Sequence, residues 1–397
     1  QAPGGTADTT DFAANLGYTL PQASVIKLHN GNWAAVVANG YDSVNGSAIL
    51  YLIDIETGAI IESFDTKTAN NGLSTPIAVD EDGDHITDVI YAGDLLGNLW
   101  KFDISGSNSN QWKIAFGNNA NPKPLFQAVD GSSASQPITA KPQVGKHPDG
   151  GLMVYFGTGK YFENNDQIIG PFPQIQTFYG IRDQGTQVSS RNNLHEQDIL
   201  AEETFEVTAS HVIQTPSSPL PVDSTLIDLR VTTDTKVLYP TEKGWFMDLE
   251  SPNNGAEGER LVSAPLLRAG RIIFSTMIPE SDPCSWGGSS WLMELDALNG
   301  SRLDTSPFDI NNDGIFDVND YVQIYDTDND GDVDQADAHL PVSGIRKVGL
   351  GITKTPGVVT CDNGAECKYT SGSSGNLDMV RESSNSPTGR QSWRQLR

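Results

Sequence analysis

The sequence predicts an all-β fold of repeated small sheets stacked radially as a β-propeller, carrying a small EF-hand-like calcium-binding insert. Three observations predict it. A proline-led unit recurs along the chain, the apolar runs have strand length rather than helix length, and acidic loops carry the oxygen spacing of calcium sites.

The repeat aligns on "STPIAV" at Pro76, "AKPQVG" at Pro142, "SAPLLR" at Pro265 and "KTPGVV" at Pro356. After the first three comes an apolar run ("DVIYAGD", "LMVYFGTG", "RIIFSTM") and then a second run that ends in an acid or a turn ("NLWKFDIS", "QTFYGIRD", "SWLMELDALNG"). An earlier pair, "NWAAVVANG" and "AILYLIDIETG", has the same form. Each unit reads as a short antiparallel sheet with Gly, Asn and Asp turns. Sheets that cannot bury a face alone stack on one another, which favours a propeller spanning 12–397 over a β-sandwich. Four or five units are few for a closed ring, so further blades are expected outside this segment. Uneven spacing marks inserted loops. The largest, 183–240, contains "TPSSPLPVD" and reads as a surface excursion, and a second insertion occupies 309–337.

Acidic residues outnumber basic ones 51 to 25 in 397 residues. Such a surface repels nucleic acid and anionic lipid and favours cations and basic partners. No stretch reaches the roughly 20 apolar residues of a membrane span, and "QAPGGTADTTDF" lacks the regions of a signal peptide, so the chain reads as part of a longer exported protein.

In "DEDGDHITD", Asp80, Asp82 and Asp84 stand at positions 1, 3 and 5, the Ile86 carbonyl at 7 and Asp88 at 9 of a calcium loop. Carboxylates so close repel one another, and a divalent cation relieves the repulsion. His85 stands where such loops have glycine, and Tyr91 where an EF-hand has its bidentate glutamate. The bland alternative is a solvated acidic turn. The second site is doubled. "DINNDGIFDVND" offers Asp309, Asn311, Asp313, the Ile315 carbonyl, Asp317 and Asp320, with Gly314 at position 6; "DTDNDGDVDQAD" offers Asp326, Asp328, Asp330, the Asp332 carbonyl, Asp334 and Asp337, with Gly331 at 6. One calcium ion at 80–88 and up to two at 309–337 are expected. The i, i+4 pairs Val318/Val322 and Tyr321/Tyr325 predict a short helix between the doubled loops, giving a compact pair that resembles a dockerin. Aspartate at position 12 is a methylene short of glutamate, so affinity is expected in the extracellular range of about 10⁻⁴ to 10⁻³ M. Folding of the insert is expected to depend on metal.

Cys361 and Cys367 bracket "CDNGAEC", whose turn can bring the sulfurs together as a disulfide; two free thiols or half a metal site are the alternatives. Cys284 is left without a partner. No HExxH, GxSxG, GxxxxGK[ST] or GxGxxG pattern occurs, and no catalytic residues are assigned. The chain does not read as an enzyme.

"ITDVIYAGDLLGNLWKFDIS", "GGSSWLMELDALNGSRL" and the terminal "GRQSWRQLR" resemble signature segments of the PilY1/PilC family, and "GYTLPQASVIKLHNGNWAAVVANGYDS" and "KGWFMDL" fit as well. The resemblance implies a modified seven-bladed propeller after an amino-terminal region that often holds a von Willebrand A-like domain. It implies a type IV pilus biogenesis factor and tip adhesin that meets minor pilins and a host or abiotic surface, supports pilus extension, attachment and twitching, and resides in the periplasm, at the outer membrane surface and at the pilus tip. The family's nine-residue calcium loop maps onto Asp80, Asp82, Asp84 and Asp88, and the resemblance implies that calcium occupancy there governs the balance of extension and retraction; the doubled loops go beyond the loop that the resemblance covers. Two other classes compete. One is a calcium-dependent surface adhesin unrelated to pili. The other is a quinoprotein-like dehydrogenase, since "LYLIDIETGAIIESFD" resembles that propeller repeat, although no catalytic aspartate or tryptophan platform is assignable.

Overall fold

The computed structural model describes residues 9–208, 212–213, 225–282, 285–327, 333, 337–361 and 364–384. The sole α-helix among them is Thr9–Asn15. Cys284, the segment 215–223 and the terminal "GRQSWRQLR" lie outside the described residues.

Five sheets of three or more strands follow one another along the chain. The first pairs Ser24–Lys27, Trp33–Ala38, Ile49–Asp54 and Ile60–Asp65 in sequence order. In the second, Ile77–Val79, Val89–Gly93 and Asn98–Asp103 form the body, and Phe126–Gln127 and Lys113–Ile114 share the outer edge. The third contains Gln143–Lys146, Leu152–Gly157, Thr177–Asp183 and Gly244–Asp248, with His195–Gln197 added in parallel. Leu266–Arg268, Arg271–Ser275, Leu292–Asp296 and Gly344–Arg346 build the fourth. The fifth is Gly357–Thr360, Glu366–Ser371 and Leu377–Glu382. Pro76, Pro142, Pro265 and Pro356 each stand immediately before the first strand of the second to fifth sheets, a position where the missing N–H costs no ladder bond.

Alternation along each strand explains the stacking. In the second sheet Ile90, Ala92, Trp100 and Phe102 face Leu50, Leu52 and Phe64 of the first. The intervening Val89, Tyr91 and Leu99 face Val154, Phe156 and Tyr179 of the third. The third sheet turns Met153, Tyr155, Phe178 and Trp245 toward Ile272, Phe274 and Met293 of the fourth. Burial on both faces is why these strands read as unbroken apolar runs. Successive sheets packed face to face in this way are the blades of a β-propeller.

Between the fourth and fifth sheets the filling is partly ionic. Buried Arg271 and Lys368 both meet Glu294, each at 2.5 Å, and Lys368 also pairs with Glu382. Burial pulls the Lys368 ammonium below its usual range against the opposing charge of Glu294.

Two expectations change. The segment 183–240 is more than a surface excursion. Ile199–Val207 and Thr225–Thr232 form a long hairpin that joins the fourth sheet through Gly344–Arg346 and buries Phe205, Leu229 and Val231. Inside it Arg230, fully buried, is held by Glu202 at 2.8 Å and Glu259 at 2.9 Å beneath the Trp291 ring. Nor does a helix connect the doubled loops. One 3-10 turn, Val318–Asp320, ends where Tyr321–Val322 pairs with Leu340–Pro341. Val322 is buried while Val318 and Tyr325 are exposed, because the strand pairing selects Val322 alone for the core that also contains Phe308, Ile310 and Val342.

Candidate metal centre

Residues 80–88 form the hairpin loop between Ile77–Val79 and Val89–Gly93, closed by the Asp88 amide donating to the Val79 carbonyl at 3.0 Å. The carboxylates curl the loop around themselves. Asp80 accepts from the amides of Gly83 at 2.6 Å and His85 at 2.7 Å, Asp82 from Asp84 at 3.1 Å, and Asp84 from Ile86 at 2.7 Å. Desolvation opposes the outcome, but the amides of Gly83, His85 and Asp84 hold the Asp80 carboxyl below its usual range. His85 adopts φ 69°, the left-handed conformation for which such loops use glycine, so the departure in residue type is not a departure in backbone path.

Asp80, Asp82 and Asp88 each bring an oxygen within 4.8 Å of the others. Ligands facing each other across a calcium ion with bonds of about 2.4 Å stand about 4.8 Å apart, so this all-oxygen set fits a hard cation of that size. Asp84 does not belong to the group, and its Oδ1 is taken by the Ile86 amide.

The loop also touches its neighbours. Thr87 donates its amide to the Lys27 carbonyl of the first sheet at 3.0 Å, and His29 Nε2 meets Asp88 Oδ1 at 2.8 Å. On the other side Lys101 lies 3.9 Å from Glu81 and 2.7 Å from Asp183 of the third sheet, whose carboxylate also accepts the Tyr91 hydroxyl at 2.6 Å. Desolvation pushes the Glu81 carboxyl up against the pull of Lys101. Tyr91 is thus a buried strand residue and does not occupy a ligand position.

The other end of the Val89–Gly93 strand is fixed by Asp94 of "GDLLGN", in the turn into Asn98–Asp103. Fully buried, it accepts from Asn71 Nδ2 at 2.7 Å, Trp100 Nε1 at 2.7 Å, Asn98 Nδ2 at 2.9 Å and the amides of Leu96 and Asn98, both at 2.9 Å. Burial raises its carboxyl and these donors oppose the rise. Sequence reading assigned no part to His29, Lys101, Asp94 or Asp183. His29 meets the loop across a blade boundary, 59 residues from Asp88, Asp183 reaches it only through Lys101 and Tyr91 of the second sheet, and Asp94 sits at the far end of the strand that leaves it; spacing carries no signal for such contacts.

The second loop has the same amide pattern and a different centre. Asp309 Oδ2 accepts from Gly314 at 3.1 Å, Asn311 Oδ1 from Asp313 at 3.1 Å, and Asp313 Oδ1 from Ile315 at 2.7 Å. Asp320 does not present itself as a position-12 ligand. Its Oδ1 accepts the amides of Ile310 at 2.7 Å and Asn311 at 3.4 Å, and its Oδ2 that of Asp317 at 3.2 Å, so the short side chain clamps the loop's backbone. Burial outweighs those amides and pushes the Asp320 carboxyl up to about 6. Asp317 caps the turn, accepting from Asn319 at 2.8 Å. Of the third loop, Asp328, Asp330, Asp332 and Asp334 lie outside the described residues; Asp326 is half-buried, and Asp337 is buried and accepts the Thr327 amide at 2.5 Å. Cys361 and Cys367 are joined as a disulfide with Cα atoms 5.8 Å apart.

No helix among the described residues is long and apolar enough to cross a membrane. A family model described as the PilY1 beta-propeller domain matches residues 1–214. The type IV pilus biogenesis factor PilY1 of Pseudomonas aeruginosa is 33% identical over 419 residues, covering 97% of this chain and 33% of that protein. A PilY1 homolog of Xylella fastidiosa is 37% identical over 301 residues, 72% of this chain and 19% of the relative. The chain therefore spans a third or less of the length of these relatives. The crystal structure of the Pseudomonas aeruginosa PilY1 C-terminal domain superposes with a TM-score of 0.75 at 29% identity, covering 94% of this chain and 73% of that one. With both the sequence match and the stacked blades in agreement, the chain belongs to the PilY1 family.

Proposed function

We propose that this chain is the propeller part of an exported type IV pilus biogenesis factor, acting by binding rather than catalysis, and that calcium at residues 80–88 regulates it. The names of the relatives support the pilus assignment. The observation that carries the regulatory reading is the convergence of Asp80, Asp82 and Asp88 at a loop bonded to the first sheet through Lys27 and His29. By their places in the loop, Asp84, through the oxygen that the Ile86 amide leaves open, and the Ile86 carbonyl would complete the ligand set. Bound calcium would supply two positive charges where three carboxylates meet. The chain's own contribution is a ring of amides that pre-forms the loop, and a pair of contacts, Thr87 to Lys27 and His29 to Asp88, that would pass a change in loop order to the junction of the first two blades. In this reading the factor works with minor pilins at the pilus tip and at the outer membrane surface. It supports extension, twitching and adhesion to host or abiotic surfaces.

The test is the pair Asp80→Ala and Asp88→Ala in the full-length protein. Calcium binding at this loop should be lost while the blades keep their melting behaviour in chelator, because the ladder between Ile77–Val79 and Val89–Gly93 needs no metal. Surface piliation and twitching should change. Full piliation and twitching in a variant shown to lack calcium at this loop would refute the regulatory reading.

A further inference from the structure

We propose that residues 309–317 form a second calcium site, independent of residues 80–88, which fastens the 309–337 insert to the last strand of the fifth sheet. The proposal goes beyond the pilus reading and does not depend on it.

The loop's root is built before any metal is considered. Phe308 bridges to Glu382, the Asp309 amide donates to the Arg381 carbonyl at 3.0 Å, and the Ser383 amide donates to the Pro307 carbonyl at 2.8 Å. Phe308 and Ile310 are buried in the core shared with the fourth sheet. Asp309 is therefore drawn inside, with its side chain 1% exposed. One of its oxygens accepts the Gly314 amide, and the other, Oδ1, is buried with no hydrogen-bond partner. The nearest cation, Arg381 Nη1, stands 4.0 Å away, on the Oδ2 side. A buried carboxylate oxygen without a partner is costly, of the order of 1–3 kcal/mol or more, and native proteins ordinarily satisfy such an atom.

The surroundings say with what. Asn311 and Asp313 follow at alternate positions, Asn311 Oδ1 accepting the Asp313 amide and Asp313 accepting the Ile315 amide on Oδ1 and Asn311 Nδ2 at 3.0 Å on Oδ2. Asn312 at φ 58° and Gly314 at φ 82° supply the left-handed steps that wind the backbone around them. The donors are all oxygen, which suits calcium, and nothing here is soft enough to prefer zinc. The ligands are Asp309, Asn311, Asp313 and the Ile315 carbonyl, with Asp317 reached through water as is common at position 9. Asp320 accepts three backbone amides, those of Ile310, Asn311 and Asp317, where Asp313 accepts one, and it is left out of the set. Calcium would satisfy Asp309 Oδ1 at the point where the loop and the Leu377–Glu382 strand meet.

The experiment counts calcium equivalents by isothermal titration of the whole chain and follows hydrogen exchange in the peptide 308–315. Asp313→Ala, an exposed position that leaves the buried root intact, should bind one equivalent fewer than the parent. Asp80→Ala with Asp88→Ala should lose a different one, and the combination should lose both. In the parent, millimolar calcium should slow exchange in 308–315 at least tenfold relative to chelator. An Asp313→Ala protein that binds as many equivalents as the parent overturns the proposal. Should that variant fail to fold, equal exchange in the parent with and without calcium overturns it as well. Loss of the equivalent at 80–88 without any effect on piliation refutes the regulatory reading of that loop and leaves this count unchanged.

Discussion

The loops at 80–88 and 309–320 share a spacing of oxygens and a set of backbone amides, yet their centres differ. At 80–88 three carboxylates converge near solvent, and the last of them, Asp88, is tied to His29 of the neighbouring blade. At 309–320 the first carboxylate is buried beside Arg381 and the last, Asp320, is spent on amides. The spacing thus specifies how the backbone curls. What the curl encloses is decided by the neighbours, a hairpin at a blade junction in one case and a core-anchored root in the other.

The largest expected effect lies at the far end of the strand that leaves the first loop. Asp94→Ala strands five donors in a fully buried place, and about 3–5 kcal/mol of stability should be lost, equally in calcium and in chelator. Thermal melts in both conditions check this. If calcium restores the melting temperature, the second blade does not hold together independently of the loop's metal in the way described.

A second contrast is the sign of the pH dependence. Because Asp320 is pushed up to about 6, the folded chain binds more protons than the unfolded chain between the ordinary carboxylate range and that value. Its contribution to stability is therefore present at low pH and lost as pH rises through about 6, amounting to about 3 kcal/mol at most. Asp80, held low, has the opposite sign and loses its contribution as pH falls. In chelator, Asp320→Asn should flatten the decline between about pH 4 and 6 that the parent shows. An unchanged slope would mean that Asp320 is not the clamp.

The smallest effects separate the two left-handed positions. Gly314→Ala should cost about 1–2 kcal/mol, since φ is 82° and an added Cβ would stand 2.8 Å from Arg381 Nη1. His85→Gly should stabilise by less than about 1 kcal/mol, the relief at φ 69° being offset by glycine's greater unfolded-state freedom. Denaturant midpoints of the two variants test the pair, and equal shifts of the same sign would contradict it.

Much of the architecture was legible because a blade buried on both faces leaves a short apolar run, and Pro76, Pro142, Pro265 and Pro356 mark where each new sheet begins. The hairpin of Ile199–Val207 and Thr225–Thr232 was not legible. Its charged residues, Glu202 and Arg230, read as surface and are instead paired in the interior. The helix expected at 318–325 failed because i, i+4 spacing in a short segment cannot outweigh a strand pairing supplied by distant Leu340–Pro341. That Asp80, Asp82 and Asp88 share one loop was legible from spacing, while the contacts of His29 with Asp88 and of Lys101 with Asp183 are made only when blades stack, and that of Asp94 with Trp100 only when its own sheet forms.

Crystallographic anomalous scattering from protein grown in millimolar calcium addresses the central claim most directly. The account predicts a calcium peak between Asp80, Asp82 and Asp88, with Asp84 and the Ile86 carbonyl within reach, and oxygen distances of about 2.3–2.6 Å. A loop closed on its own amides with no peak at saturating calcium would contradict it.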